Sequence, residues 1–130
     1  GCGSGVLAIA AARLGARRVW AVDNDPQALV ATRDNAGRNG VGGAIEVYAP
    51  DTLPAVKADI LVANILAGPL SSLAARLADL VKAGGQIALS GILASQEQEI
   101  RDAYAPWFEI TGVTPRNEWL RIDARRREQD

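Results

Sequence analysis

The sequence predicts an α/β fold: a mostly parallel, doubly wound sheet that ends in an antiparallel hairpin. Three observations predict it. Short β-branched runs alternate with longer Ala/Leu-rich stretches along most of the chain, and this alternation is the pattern of parallel strands joined by crossover helices. A glycine-rich segment, Gly1-Cys2-Gly3-Ser4-Gly5, directly precedes the first helical stretch. The last two apolar runs are separated only by Pro115-Arg116-Asn117, too short a connection for a crossover and right for a hairpin.

The elements follow in order. Val6 to Leu14 is apolar and rich in helix formers, and Gly15 ends it. Arg18 to Val22 reads as a buried strand. Asp25 is the expected N-cap of the next helix and Pro26 its first residue; the helix runs to about Arg38 and Asn39-Gly40 stops it. Ile45 to Tyr48 is a short strand. Asp59 to Ala63 is apolar and β-branched, the composition of a central strand. Leu70, Leu73, Leu77 and Leu80 lie at helical spacing and predict one helix over 69–81. Gly84-Gly85 turns the chain into a strand from Gln86 to Ser90. Ser95 caps a fourth helix that ends near Pro106, and the hairpin strands are about Phe108 to Val113 and Trp119 to Ala124. Residues 1–125 are expected to form one domain. Residues 126–130 are expected to be a charged tail, and Arg125-Arg126-Arg127 reads as solvated.

Composition narrows the chemistry. The chain has 130 residues, 48% of them hydrophobic, which suits one packed domain. Lys plus Arg number 14 and Asp plus Glu 15, so no general attraction to nucleic acid is expected. There is no histidine and one cysteine, Cys2. That excludes His-based triads and disfavours any metal site. It also leaves no internal disulfide to imply an oxidising compartment. No apolar run is long enough for a membrane helix, and the first residues lack a signal peptide's basic and apolar regions. The cytoplasm is the expected compartment.

Three features carry candidate chemistry. Glycines at alternate positions of the Gly1–Gly5 loop let backbone approach a ligand closely, and the helix start behind them offers free N–H groups; a plain β-to-α turn is the simpler alternative. The dinucleotide motif would place its third glycine at position 6, where Val6 stands. Asp23 ends the second strand region about 20 residues after the loop, where an acid accepts hydrogen bonds from ribose hydroxyls; an ordinary strand-end acid is its bland counterpart. Asn64 follows the Asp59–Ala63 strand, at a carboxyl end that borders the ligand crevice of an open α/β sheet. Its side-chain oxygen can grip an amine N–H and aim the nitrogen lone pair at an electrophilic carbon. The alternative is a turn Asn that ties down local backbone.

With these residues in place the chain resembles a known family. The G-x-G-x-G loop is similar to that of class I S-adenosylmethionine-dependent methyltransferases, whose Rossmann-like sheet ends in such a hairpin. The stretches GCGSGVLAIAAARLGARRVWAVDNDPQAL, VANILAGPL, LSGILASQ and EWLRI resemble the methyltransferases of the eleventh large-subunit ribosomal protein. The resemblance covers nearly all of the chain, to about Arg125. It implies the donor S-adenosyl-L-methionine and transfer to lysine ε-amines and the α-amine of a large-subunit ribosomal protein. It places Gly1, Gly3, Asp23 and Asn64 at the cofactor, with Asn64 also at the acceptor amine as the catalytic residue, and implies no metal. Related amine methyltransferases carry Asn-Pro-Pro and an aromatic where this chain has Asn64-Ile65-Leu66-Ala67, which argues against a flipped base as acceptor. The family's small N-terminal recognition domain, its linker, a cofactor-lining threonine and its first strand have no counterpart here. The expectation is therefore a sheet split between the Arg18–Val22 and Asp59–Ala63 strands. Three other readings stay open: a methyltransferase for another protein or small molecule, a nicotinamide-dependent oxidoreductase, and a non-catalytic cofactor-binding remnant.

Overall fold

The computed structural model describes residues 1–128. The chain divides into two compact units, Gly1–Pro54 and Ala55–Asp130, and its strands form two sheets, one in each unit. Among the described residues no ladder pairs the Val19–Val22 strand with the Ala58–Asn64 strand.

The first unit contains α1 (Val6–Arg13), β1 (Val19–Val22), α2 (Pro26–Arg38) and β2 (Ile45–Tyr48). β1 and β2 are parallel, with Val19 opposite Ile45 and Val22 opposite Tyr48. α2 begins as the sequence predicts. Asp25 is its N-cap and accepts a hydrogen bond from Gln27 N–H at 3.0 Å, with Pro26 as the first helical residue. Ile9, Ala21, Ala36 and Ile45 form the buried core.

The second unit contains β3 (Ala58–Asn64), α3 (Ala67–Ser72), α4 (Ala74–Asp79), β4 (Val81–Leu93), α5 (Glu97–Tyr104), β5 (Phe108–Arg116) and β6 (Trp119–Arg126). The sheet order is β3-β4-β6-β5. β3 runs parallel to β4, with Asn64 opposite Ser90. β6 is antiparallel to both of its neighbours, placing Ile122 opposite Leu89 of β4 and Val113 of β5. Leu70, Ile87, Leu89, Ile92, Ile100, Tyr104, Phe108 and Ile122 are fully buried or nearly so.

Several elements depart from expectation. The single helix over 69–81 is two short ones that meet at Leu73. The Ser72 hydroxyl donates back to Pro69 O at 3.1 Å, a contact that bends helices. Lys57 Nζ donates to Asp79 O at 2.6 Å, holding the C-terminal end of α4, and Val81 already pairs with Ala58. Ser95 is not a cap. It lies inside a 3-10 turn, Ala94–Gln96, where the Gln96 Oε1 accepts from Leu93 N–H at 2.9 Å. β3 is not central in its own sheet but an edge strand, with Ile60 and Val62 exposed. The hairpin turn is Asn117-Glu118, and Arg116 pairs with Trp119 instead of standing in the turn.

The expected solvated tail also begins later than position 126. Arg126 ends β6 and is buried; its guanidinium donates to Ala78 O at 3.1 Å and Trp107 O at 3.3 Å. Those carbonyls lie at the end of α4 and just before β5, where a planar multi-donor group satisfies several acceptors at once. Gln129 and Asp130 lie outside the described residues.

Tyr104 joins α5 to α3. Its ring is buried against Phe108, and its hydroxyl donates to Leu70 O at 2.7 Å. Burial pushes the phenol well above its ordinary pKa. Tyr104→Phe keeps the ring and strands the carbonyl, so it is expected to cost about 1–2 kcal/mol in denaturant unfolding. An unchanged denaturation midpoint would mean the hydroxyl contributes nothing net.

Candidate functional site

The glycine loop is built against the end of β1. Gly1 N and Cys2 N–H both donate to Val22 O, at 2.7 and 2.9 Å, so the chain enters the loop beside the strand end. Gly3 and Gly5 have φ of +56° and +89°, the left-handed region that side chains rarely adopt. Gly5 also lies against α2: a Cβ there would sit 2.9 Å from Thr32 Cγ2.

Asp23 lies one residue beyond β1 and faces this loop. Its Oδ2 accepts from Gly3 N–H at 3.0 Å and its Oδ1 from Asp25 N–H at 2.9 Å. Partial burial pushes its pKa up, but backbone N–H donors from Asp25, Gly3 and Asn24 outweigh that. The carboxyl is therefore held below its ordinary value and is ionised at neutral pH. A carboxylate has about four acceptor positions, so these backbone donors leave capacity for a hydroxyl donor.

Two residues that the sequence did not single out fix the loop. Thr32, fully buried in α2, donates its hydroxyl to Gly3 O at 3.1 Å and lies 3.3 Å from Cys2 Sγ. Asn35 donates Nδ2 to Ser4 O at 2.8 Å. Both loop carbonyls are thus turned toward α2. The available signal was a polar pair at i and i+3 within a helix, a spacing that puts both on one face. Asp51, exposed three residues beyond β2, also stands after the carboxyl end of a strand paired with β1.

In the second unit Asn64 is the last residue of β3. It is exposed, and its side-chain amide makes no hydrogen bond among the described residues. In this structure the Asn64 side chain does not tie down its own turn. The following loop crosses β4 at Gly91, whose φ is +83° and whose absent Cβ would lie 2.5 Å from Ile65 O and 3.1 Å from Asn64 Oδ1. Beside Asn64 opens a cleft of about 700 Å³, walled by Leu66, Gly91, Arg116, Trp119 and Arg121 among others. Gly3 and Asp23 are thus brought together in the first unit, Gly1 is placed at the same strand end, and Asn64 heads a cleft of the second. No helix among the described residues is long and apolar enough to cross a membrane.

Comparison with known proteins decides the family. The profile of the ribosomal protein L11 methyltransferases (PrmA) matches residues 1–127. The chain belongs to this family. A ribosomal protein L11 methyltransferase of Pseudomonas paraeruginosa (strain DSM 24068 / PA7) is 59% identical over 128 residues, covering 98% of this chain and 44% of that protein. The crystal structure of ribosomal protein L11 methylase from Lactobacillus delbrueckii subsp. bulgaricus superposes with a TM-score of 0.90 at 34% identity, covering 98% of this chain and 68% of that one. An RNA methyltransferase from Salinibacter ruber in complex with S-adenosyl-L-homocysteine shares the fold, with a TM-score of 0.79 at 17% identity, covering all of this chain and 79% of that one. The fold is that of class I methyltransferases, as the hairpin-terminated sheet predicts. The chain spans less than half the length of the curated relatives it matches.

Proposed function

We propose that this chain supplies the cofactor pocket and the methyl-transfer residue of an S-adenosyl-L-methionine-dependent protein N-methyltransferase. Its acceptors are lysine ε-amines and the α-amine of ribosomal protein L11, the substrate in the family's name, and its compartment is the cytoplasm. The observation that carries this reading is the glycine loop closed onto an ionised Asp23 with acceptor capacity to spare. That arrangement fits a ligand with vicinal ribose hydroxyls and no pyrophosphate. Asp23 would hold the ribose, while Gly1 and Gly3 would let the loop backbone lie against the amino-acid portion.

When bound, the cofactor supplies a methyl group on a sulfonium, open to direct displacement. Asn64 has the second task. With no competing hydrogen bond, its Oδ1 is free to accept from the acceptor amine and its Nδ2 to donate. Holding one N–H aims the nitrogen lone pair along the line of attack. With the cofactor bound, the amine held by Asn64 would displace the methyl group from sulfur, the electron pair staying on sulfur and the amine's proton going to water. A nicotinamide-dependent reaction has no support in the family or in the loop, where Val6 occupies the third glycine position.

Calorimetry on the full-length protein tests the pocket. S-adenosyl-L-methionine should bind and NAD should not. Asp23→Asn should weaken S-adenosyl-L-methionine by about 1.5–3 kcal/mol, the worth of a hydrogen bond to a charged group. Wild-type affinity in that variant would remove Asp23 from the pocket.

A further inference from the structure

The cleft beside Asn64 has a one-sided charge pattern. Two arginines line it, Arg116 and Arg121, and no Asp or Glu does. Arg121 is neutralised: its Nη2 lies 3.0 Å from Asp123 Oδ2, and the same nitrogen reaches Thr114 Oγ1 at 3.5 Å. Arg116 ends β5, is exposed, and makes no ion pair among the described residues. The other walls bring nothing that titrates. The end of β3 gives Asn64, Ile65 and Leu66, and β4 gives Ser90 and Gly91. The carboxylate nearest Arg116 along the chain, Glu118, stands in the hairpin turn and does not line the cleft.

We propose that Arg116 acts on the acceptor amine as a fixed like charge, lowering its pKa so that the neutral nucleophile is populated without a general base. This rests on the methyl-transfer reading and names what that reading lacks. An ordinary lysine has a pKa of about 10.4, so roughly one in a thousand is neutral near pH 7.4. Both Arg116 and Asn64 line this cleft; for an amine held on the order of 8 Å from the guanidinium, at an effective dielectric of about 40–80, the like charge would lower that value by about 0.4–0.8 unit. The neutral fraction then rises about threefold to sixfold. The proton leaves to water before the nitrogen–carbon bond forms, so no further reactant is needed. Leu66 and the half-exposed Trp119 offer apolar surface to the lysine methylenes, which keeps the chain bound while its charge is disfavoured.

The test uses the full-length enzyme with purified ribosomal protein L11. Methylation of lysine and of the α-amine is read separately by peptide mass spectrometry across pH 6.5–10. Arg116→Glu reverses the charge and should move the acid limb of kcat/KM for lysine up by about one pH unit, and Arg116→Gln by about half of that. Arg116→Lys should restore the wild-type limb. At pH 8 the lysine rate in Arg116→Glu should fall about fivefold to tenfold. At pH 9.5 the α-amine, with an ordinary pKa near 8, is already neutral and should react within twofold of wild type. An unmoved acid limb in Arg116→Glu overturns the proposal, as does an equal loss at both amines at every pH, which marks a structural role. Absence of transfer by the wild-type enzyme at any pH sinks the methyltransferase reading itself, and this proposal with it.

Discussion

Gly91→Ala is expected to cost about 3–5 kcal/mol and to take the site with it. Two terms add. A φ of +83° in a residue with a Cβ costs about 1–2 kcal/mol. The Cβ would also lie 2.5 Å from Ile65 O and 3.1 Å from Ile65 C. These are backbone atoms of the loop that leaves β3, so no side-chain rotation relieves the overlap. β4 is held on both sides, by β3 and by β6, so the loop is the part that yields. The displaced atoms include the Asn64 side chain, whose Oδ1 lies 3.1 Å from the same point. Thermal unfolding should show a loss of about 10 °C or more, and methyl transfer below that transition should fall as it does in an Asn64 variant. Gly112→Ala is the control, because a Cβ there meets nothing within 4 Å. Equal stability of the two variants would mean that the β3–α3 loop relaxes freely and Gly91 has no special place.

What was legible in the sequence was what is decided locally. The Asp25-Pro26 pair fixes the start of α2 because a cap is made by its own neighbours. The alternation of strands and helices and the closing hairpin follow from element lengths and spacing. Asp23 and Gly3 meet because both flank the end of β1, and that too follows from the order of strand, loop and helix. The misses are side-chain and tertiary choices that residue spacing does not encode. The leucine spacing over 69–81 is genuine, and Leu70 is fully buried. The break at Leu73 goes with the Ser72 hydroxyl turning back to Pro69 O, a rotamer choice that periodicity does not encode. Arg126 looks like one more charge in an arginine run, until β6 brings it beside carbonyls from Ala78 and Trp107, 48 and 19 residues away. Thr32 reads as a weak helix former within α2, and only the packing of the glycine loop gives its hydroxyl a task. The cleft joins β3 to a hairpin some fifty residues later, so Arg116 and Trp119 had no local signal linking them to Asn64.

Asn64→Ala is expected to lower the turnover of the full-length enzyme about 10²–10³-fold, with the fold and the stability of the second unit unchanged. The side chain is exposed and bonds to nothing among the described residues, so its removal leaves no buried group unsatisfied and opens no cavity. Any large effect must therefore fall on the reaction. Placing and aiming one reacting atom, together with a preorganised polar group at the site of charge change, accounts for losses of this size. The loss should appear in kcat more than in the affinity for S-adenosyl-L-methionine, because the ribose contact is assigned to Asp23. Asn64→Asp separates aim from charge. The oxygen acceptor stays, but an added negative charge favours the ammonium form of the acceptor and should shift the acid limb of the pH profile upward, opposite to the effect assigned to Arg116. Single-turnover rates across pH read both effects. Turnover at the wild-type level in Asn64→Ala, with cofactor binding intact, would reduce Asn64 to the last residue of an edge strand and move the search for the aiming group to other residues of the cleft wall, Ser90 and Thr114 first among them.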